Sequence, residues 1–177
     1  MASIIKANQL QDFGGNSIIT SDGAGNVTVN AQGLQNTPAF QANMSGNSSN
    51  QTISNTTETV LNFVTKEFDT DNAYDTTNKR FNPQVSGKYY IYASARWADT
   101  ADWDASYIKI RKNGSTQILA IWWRNEFVEG NYIGAMVDMN GSSDYVDIVV
   151  YQGSGSDKSI EDDLGNNIFG GYRMIGA

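Results

Sequence analysis

Gly87-Lys88-Tyr89-Tyr90-Ile91-Tyr92-Ala93-Ser94-Ala95-Arg96-Trp97 is the stretch on which the fold turns. Over residues 88–97, Tyr89, Ile91, Ala93, Ala95 and Trp97 fall on one face, and Tyr90, Tyr92 and Ser94 on the other. A period of two belongs to a strand with one face on a core; a helix would repeat at three and four. Gly87 suits a turn that leads into such a strand.

Strand-like runs lie on either side. Downstream, residues 106–112 set Ser106, Tyr107, Ile108 and Ile110 against Lys109 and Arg111, and 117–127, 131–139, 145–152 and 167–175 follow. Upstream are a short run at 38–43 and a longer one at 59–65, with Val60, Leu61, Phe63 and Val64 as apolar members. No segment holds a helical period, and no internal repeat is visible. Short strands separated by turn signals predict an antiparallel sandwich or barrel. Asn113-Gly114 and Asn140-Gly141 are type I′ pairs and predict two tight hairpins at one end of it.

Composition agrees with an all-β fold and narrows the function. The chain has 17 Gly and 2 Pro, so its turns draw on Gly, Asn and Asp. Its net charge of −7 argues against nucleic acid as a partner, since a phosphate backbone calls for clustered Lys and Arg. There is no Cys and no His, which removes disulfides, thiol nucleophiles, Ser-His-Asp triads and ordinary zinc sites. Met1-Ala2-Ser3-Ile4-Ile5-Lys6 begins no signal peptide, and no apolar run is long enough to enter a membrane as a helix. Gly153-Ser154-Gly155-Ser156 lacks the Gly-Lys-Ser/Thr ending of a phosphate loop. A glycosidase would need two carboxylates about 5–9 Å apart around a sugar, which solvated loop acids seldom supply. The expectation is a protein that is not an enzyme.

Residues 1–37 differ from the rest. Ser17-Ile18-Ile19-Thr20 and Val27-Thr28-Val29-Asn30 flank a turn-rich Ser21-Asp22-Gly23-Ala24-Gly25-Asn26, which predicts a hairpin. One hairpin is marginal in water, so copies from other chains are the expected support; a partly ordered leader is the alternative. Residues 32–37 read as a linker, dividing the chain into a β stem at 1–37 and a head at 38–177.

From Pro38 onward the sequence resembles the C1q domain family. The resemblance runs through Pro38-Ala39-Phe40-Gln41-Ala42, Phe68, Asn72, Tyr74-Asp75, Arg80-Phe81, Pro83 and Gly87-Lys88-Tyr89-Tyr90. It continues through Ile110-Arg111-Lys112-Asn113-Gly114 and ends at Asn167-Ile168-Phe169-Gly170-Gly171-Tyr172. What it implies is a ten-strand C1q/TNF-like jelly roll that packs as a homotrimer, with Phe81 and Tyr89 in the core. The chain departs from secreted animal relatives in having no collagen-like stalk, signal peptide or Cys. Its leader, Ser3-Ile4-Ile5-Lys6-Ala7-Asn8-Gln9-Leu10 with Thr20–Val27, resembles leaders of structural proteins in marine bacterial viruses. This implies a phage fibre or tail protein located in the virion, made in the host cytoplasm and joined to another virion protein through the stem.

The implied jelly roll puts both ends of the head at its base and three loops, 98–104, 126–131 and 153–166, at the far tip. Those loops carry Asp99, Asp102, Asp104, Glu126, Glu129, Asp157, Glu161, Asp162 and Asp163, with Trp103 and Phe127 among them and Lys158 as the one base. Loops on a rigid scaffold often carry binding residues. One reading is a tip that adheres to a host cell-surface glycan or protein, with Trp103 as a flat apolar contact. A second is calcium, which takes several carboxylate and carbonyl oxygens. The acids could also do no more than solvate exposed loops. Two further alternatives are a structural decoration or assembly protein of the virion that binds nothing, and a secreted C1q-like lectin.

Gln117-Ile118-Leu119-Ala120-Ile121-Trp122-Trp123 is apolar on both faces. A strand with one face in water should alternate, so one face of this run is expected at a subunit interface. Trp122 and Trp123, with Tyr90 and Tyr92 on the second face of 88–97, are the candidate trimer contacts.

Overall fold

The structure, a computed structural model, describes residues 7–31, 34–98, 105–123, 130–163 and 165–176. In chain order the strands are β1 (Gln9–Gln11), β2 (Ser17–Ser21), β3 (Val27–Val29), β4 (Ala39–Asn43), β5 (Gln51–Ile53), β6 (Thr59–Val60), β7 (Thr65–Asp69) and β8 (Tyr74–Asp75). They continue as β9 (Arg80–Phe81), β10 (Gly87–Arg96), β11 (Ser106–Lys112), β12 (Thr116–Trp123), β13 (Gly130–Met139), β14 (Val146–Gln152), β15 (Lys158–Ile160) and β16 (Ile168–Arg173).

Two antiparallel sheets face each other. One has the order β13-β10-β16-β4-β7 and the other β12-β11-β14-β9-β8, with β6 also on β14. The ten strands along these two paths form a jelly roll. β10 is an interior strand and runs beside β13 and β16 in unbroken register, from Gly87↔Met139 to Arg96↔Gly130 on one side. Its alternation is as the sequence predicts: Tyr89, Ile91, Ala93 and Ala95 are buried, while Tyr90, Tyr92 and Ser94 face out.

Between the sheets, aromatic rings pack together as part of the core. Phe40 stacks on Phe81 at 4.4 Å and on Tyr74 at 4.9 Å, and meets Phe169 edge-on at 4.9 Å. Phe81 and Tyr89 are both fully buried and touch edge to face at 5.6 Å. The hydroxyls of the two tyrosines in this cluster find backbone acceptors. Tyr74 donates to the Phe63 carbonyl at 2.8 Å and Tyr89 to the Val85 carbonyl at 2.7 Å. Burial holds the Tyr89 hydroxyl up to about 12.

Four expectations are corrected. The run at 59–65 is not one strand. β6 ends at Val60, Leu61 and Phe63 turn into the core, and β7 starts at Thr65 in the opposite sheet. Burying these two apolar side chains outweighs keeping a straight ladder. Asn140-Gly141 makes no tight hairpin. It opens the link from β13 in one sheet to β14 in the other, and the Asn140 side chain accepts the amides of Ser142, Ser143 and Asp144. Tyr107 sits on the outer face with Lys109 and Arg111, not with Ile108 and Ile110. The leader forms a three-stranded sheet, β1-β2-β3, because Gln9–Gln11 adds a strand to the predicted pair. The Asn113-Gly114 turn is as expected, with φ of 54° and 72°.

Candidate functional site

The outer face of the β13-β10-β16-β4-β7 sheet carries Tyr90 and Tyr92 from β10, Tyr132 and Met136 from β13, and Tyr172 from β16. Register brings them together. Tyr90 lies between Met136 and Tyr172, and Tyr92 between Gly134 and Gly170. The two glycines let the rings lie down on the sheet. A Cβ at Gly134 would come within 2.3 Å of the Tyr90 hydroxyl, and one at Gly170 within 2.4 Å of the Tyr92 ring. Tyr90 and Tyr92 stack at 6.2 Å, and Tyr90 meets Tyr172 at 5.9 Å.

The hydroxyls are tied down at the ends. Tyr92 donates to the Gln41 side chain at 2.9 Å, and the Tyr90 and Tyr132 hydroxyls are 3.3 Å apart. That hydrogen bond, with some burial, holds Tyr132 up to about 12; burial, followed by the neighbouring phenols, raises Tyr92. Among the residues that register places at the centre of this face there is no Asp, Glu, Lys or Arg. Its charges sit at the margins, with Lys88 on Asp138 at 2.7 Å towards the base and Arg96 on Glu161 at 3.3 Å towards the tip. An apolar, tyrosine-rich centre with a charged rim is the anatomy of a protein interface. Tyr132, Met136 and Tyr172 were missed in the sequence, although the alternation Tyr132, Gly134, Met136, Asp138 is legible there.

A second apolar patch lies on the outer face of the other sheet. Trp122 is 51% exposed and rests against Tyr107 at 4.3 Å, which stacks on Tyr151 at 5.0 Å. Trp123, the next residue, instead packs against the core. The candidate interface residues thus divide. Tyr90 and Tyr92 lie outside one sheet, Trp122 lies outside the other, and Trp123 belongs to neither surface. Beside Tyr107, Glu58 accepts from its hydroxyl and from Lys109. Burial alone would raise the Glu58 carboxyl, but these hydrogen bonds and the charges of Lys109 and Arg111 carry it below its ordinary value.

At the tip, Asp99, Asp102, Trp103, Asp104, Glu126 and Phe127 lie outside the described residues, as does Glu129. The described acids are spread among local tasks. Asp157 accepts the Asn55 amide at 2.9 Å, and Glu161 pairs with Arg96. Asp163 caps Gly165 at 2.5 Å and Asn166 at 2.7 Å, and these bonds lower its pKa. Asp162 keeps one buried oxygen without a hydrogen-bond partner among the described residues. Among the described residues no three His, Cys, Asp or Glu side chains come together as a metal site, so the calcium reading gains no support from them.

No protein-family model matches the sequence, and no curated protein matches it. Solved structures do. The globular domain of zebrafish complement 1qA protein is similar at 18% identity and a TM-score of 0.55, over 77% of this chain and 96% of that one. The Eiger TNF of S. frugiperda is similar at 11% identity and a TM-score of 0.58, over 78% of this chain and 93% of that one. Murine APRIL is similar at 8% identity and a TM-score of 0.58, over 77% of this chain and 98% of that one. The fold is the C1q/TNF-like jelly roll. β4 and β16 are antiparallel neighbours within their sheet, so Ala39 lies opposite Tyr172 and the two ends of the 38–177 stretch run side by side.

Proposed function

We propose that the chain is a non-enzymatic homotrimeric head that adheres to a surface ligand and is carried on its N-terminal β sheet. The observation that carries the reading is the pair of unlike apolar patches, the tyrosine face and the Trp122 edge. A ring of three copies uses a heterologous interface, so each protomer must offer two different, complementary surfaces. Stacking the β12–β13 edge of one copy, with Trp122 and Tyr132, on the Tyr90–Tyr92–Tyr172 face of the next would cover both. Residues 1–37 are assigned as the stem, since a small three-stranded sheet with Leu10, Phe13 and Val27 exposed gains from association with its own copies. The leader's resemblance to those of bacterial-virus structural proteins supports placement in a virion, as a fibre or tail component joined to a second virion protein. The ligand class is a host cell-surface glycan or protein, bound with three-fold avidity.

A second reading, a purely structural decoration or trimerisation head, is favoured by one observation: Asp157, Glu161 and Asp163 at the tip already serve local bonds. Light scattering after size exclusion comes first. A mass three times the 19.4 kDa of the chain is expected, and a mass of one chain overturns the trimer. Displaceable binding of the soluble protein to intact bacterial hosts then selects adhesion; its absence at about micromolar protein selects the structural role.

A further inference from the structure

A cavity of about 370 Å³ opens on the flank where β7 and β8, the edge strands of the two sheets, come together. Lys66, Asn72, Asp75, Arg80, Asn82 and Gln84 line it. Its size is at the small end of ligand pockets, about 300–1,000 Å³, but its walls are polar where drug-like sites are mostly apolar. That selects a small, highly hydroxylated or charged ligand.

The hydrogen-bonding capacity left open in these walls narrows the class. The two carboxylates nearby are occupied. Asp75 accepts the amides of Thr77 at 2.8 Å and Asn78 at 3.0 Å, and the Asn78 side chain at 2.6 Å. Asp69 takes the amides of Ala73 and Tyr74 together with Lys66. Asn82 is also committed. It donates to the Asp144 carbonyl at 2.6 Å and accepts from Gln84 at 2.7 Å, which fixes the Gln84 amide.

Donors remain. The Arg80 guanidinium lies over the Tyr145 ring at 4.6 Å and stands 4.0 Å from Asp75, and among the described residues no hydrogen bond uses its N–H groups. Lys66 bonds Asp69 at 3.1 Å and the Asn72 oxygen at 3.0 Å, leaving a third ammonium proton. The Asn72 Nδ2 is open, held there by a backbone at φ 53°. Among these groups Gln84 Oε1 is the side-chain oxygen that accepts no hydrogen bond, whereas each carboxylate oxygen of Asp69 and Asp75 already accepts at least one. A planar guanidinium with free donors matches a carboxylate, and an adjacent amide pair matches hydroxyls.

The geometry points to a binding site for a carboxylated monosaccharide, with Arg80 and Lys66 on the carboxylate and Asn72 and Gln84 on ring hydroxyls. The site is off the tyrosine face, so its test is independent of the trimer.

The intact protein is titrated by NMR with glucuronate and N-acetylneuraminate, with glucose as the neutral sugar and acetate as the bare anion. At least one acidic sugar is expected to bind at about millimolar Kd, with glucose and acetate each about ten-fold weaker or worse. Arg80→Gln should weaken the acidic sugar at least about ten-fold while the melting curve stays put. Should Arg80→Gln disturb the fold, Gln84→Leu keeps both cations and should lose the preference for acidic sugar over acetate. No response to either acidic sugar, binding unchanged by Arg80→Gln or Gln84→Leu, or acetate binding as tightly as the sugars would overturn the assignment.

Discussion

The Tyr90 and Tyr132 hydroxyls meet at 3.3 Å across β10 and β13, and Gly134 leaves the room beneath that lets Tyr90 reach across. The same device recurs at Gly170 under Tyr92. A methyl group at either position lifts a ring off the sheet. Gly134→Ala and Gly170→Ala should therefore cost at most about 1 kcal/mol in the isolated head, because an outward-facing tyrosine can swing away. Trimer dissociation on dilution should shift at least about ten-fold towards monomer, since flatness is what the partner packs against. Light scattering over a dilution series, with thermal melts alongside, reads both effects. Unchanged assembly in both variants would remove this face from the interface.

Trp122 and Trp123 should respond differently to the same change. Trp122→Asp loses a ring contact worth about 1 kcal/mol and places a charge on the proposed interface, so a folded monomer is expected. Trp123→Asp sets a carboxylate against the core and should cost about 3 kcal/mol or more, lowering the melting temperature before any effect on assembly is seen. Circular dichroism melts and sedimentation of the two proteins separate these outcomes; a trimeric Trp122→Asp protein would sink the role given to that edge.

Acid should destabilise the head, and neutral pH should not matter. With no His in the chain, little titrates between about pH 5 and 8, so the melting temperature should be flat there. Glu58 and Asp144 both have lowered values, Asp144 chiefly through its bonds to Asn113 and Lys112. A carboxylate lowered in the fold contributes stability above its unfolded pKa, about 4, and loses it as pH falls through the folded value. Glu58→Gln should cost about 1 kcal/mol at neutral pH by leaving Lys109 without its carboxylate, while Arg111 keeps its paired bonds to Asp147, and the deficit relative to the parent should shrink below about pH 4. A deficit that does not change with pH would show that the charge on Glu58 is not what matters.

Gly141 and Gly155 both have positive φ, 72° and 86°, but only Gly141 is crowded: a Cβ there would lie 2.2 Å from the Ser86 nitrogen. Gly155→Ala should cost about 1 kcal/mol from backbone strain alone. Gly141→Ala must also push apart two backbone segments and should cost about 3 kcal/mol or more. Urea titrations of the two variants test the difference; equal costs would mean the 85–86 segment yields freely.

What the sequence determined by itself were the properties that repeat along one strand. The alternation at 88–97 assigns core and surface to each side chain of β10, and the Asn113-Gly114 pair names its own turn, because both signals are local in the backbone. An ordered set of aromatic and glycine positions was enough to point to the jelly roll. The tertiary structure alone decided whatever depends on which strand lies beside which. Residues 59–65 read as one strand, but a core between two sheets pulls Leu61 and Phe63 inward and divides them. Trp122 and Trp123 are equally apolar, and pairing with β11 turns one outward and the other inward. Gly170 is legible in the sequence as part of a motif, but its role as room for a ring appears only when register places it beside Tyr92, and Arg80 becomes an open donor only where β7 and β8 meet across the flank. Pairing between strands far apart in the chain is selected by the burial of the whole core, a sum that no local window of residues contains.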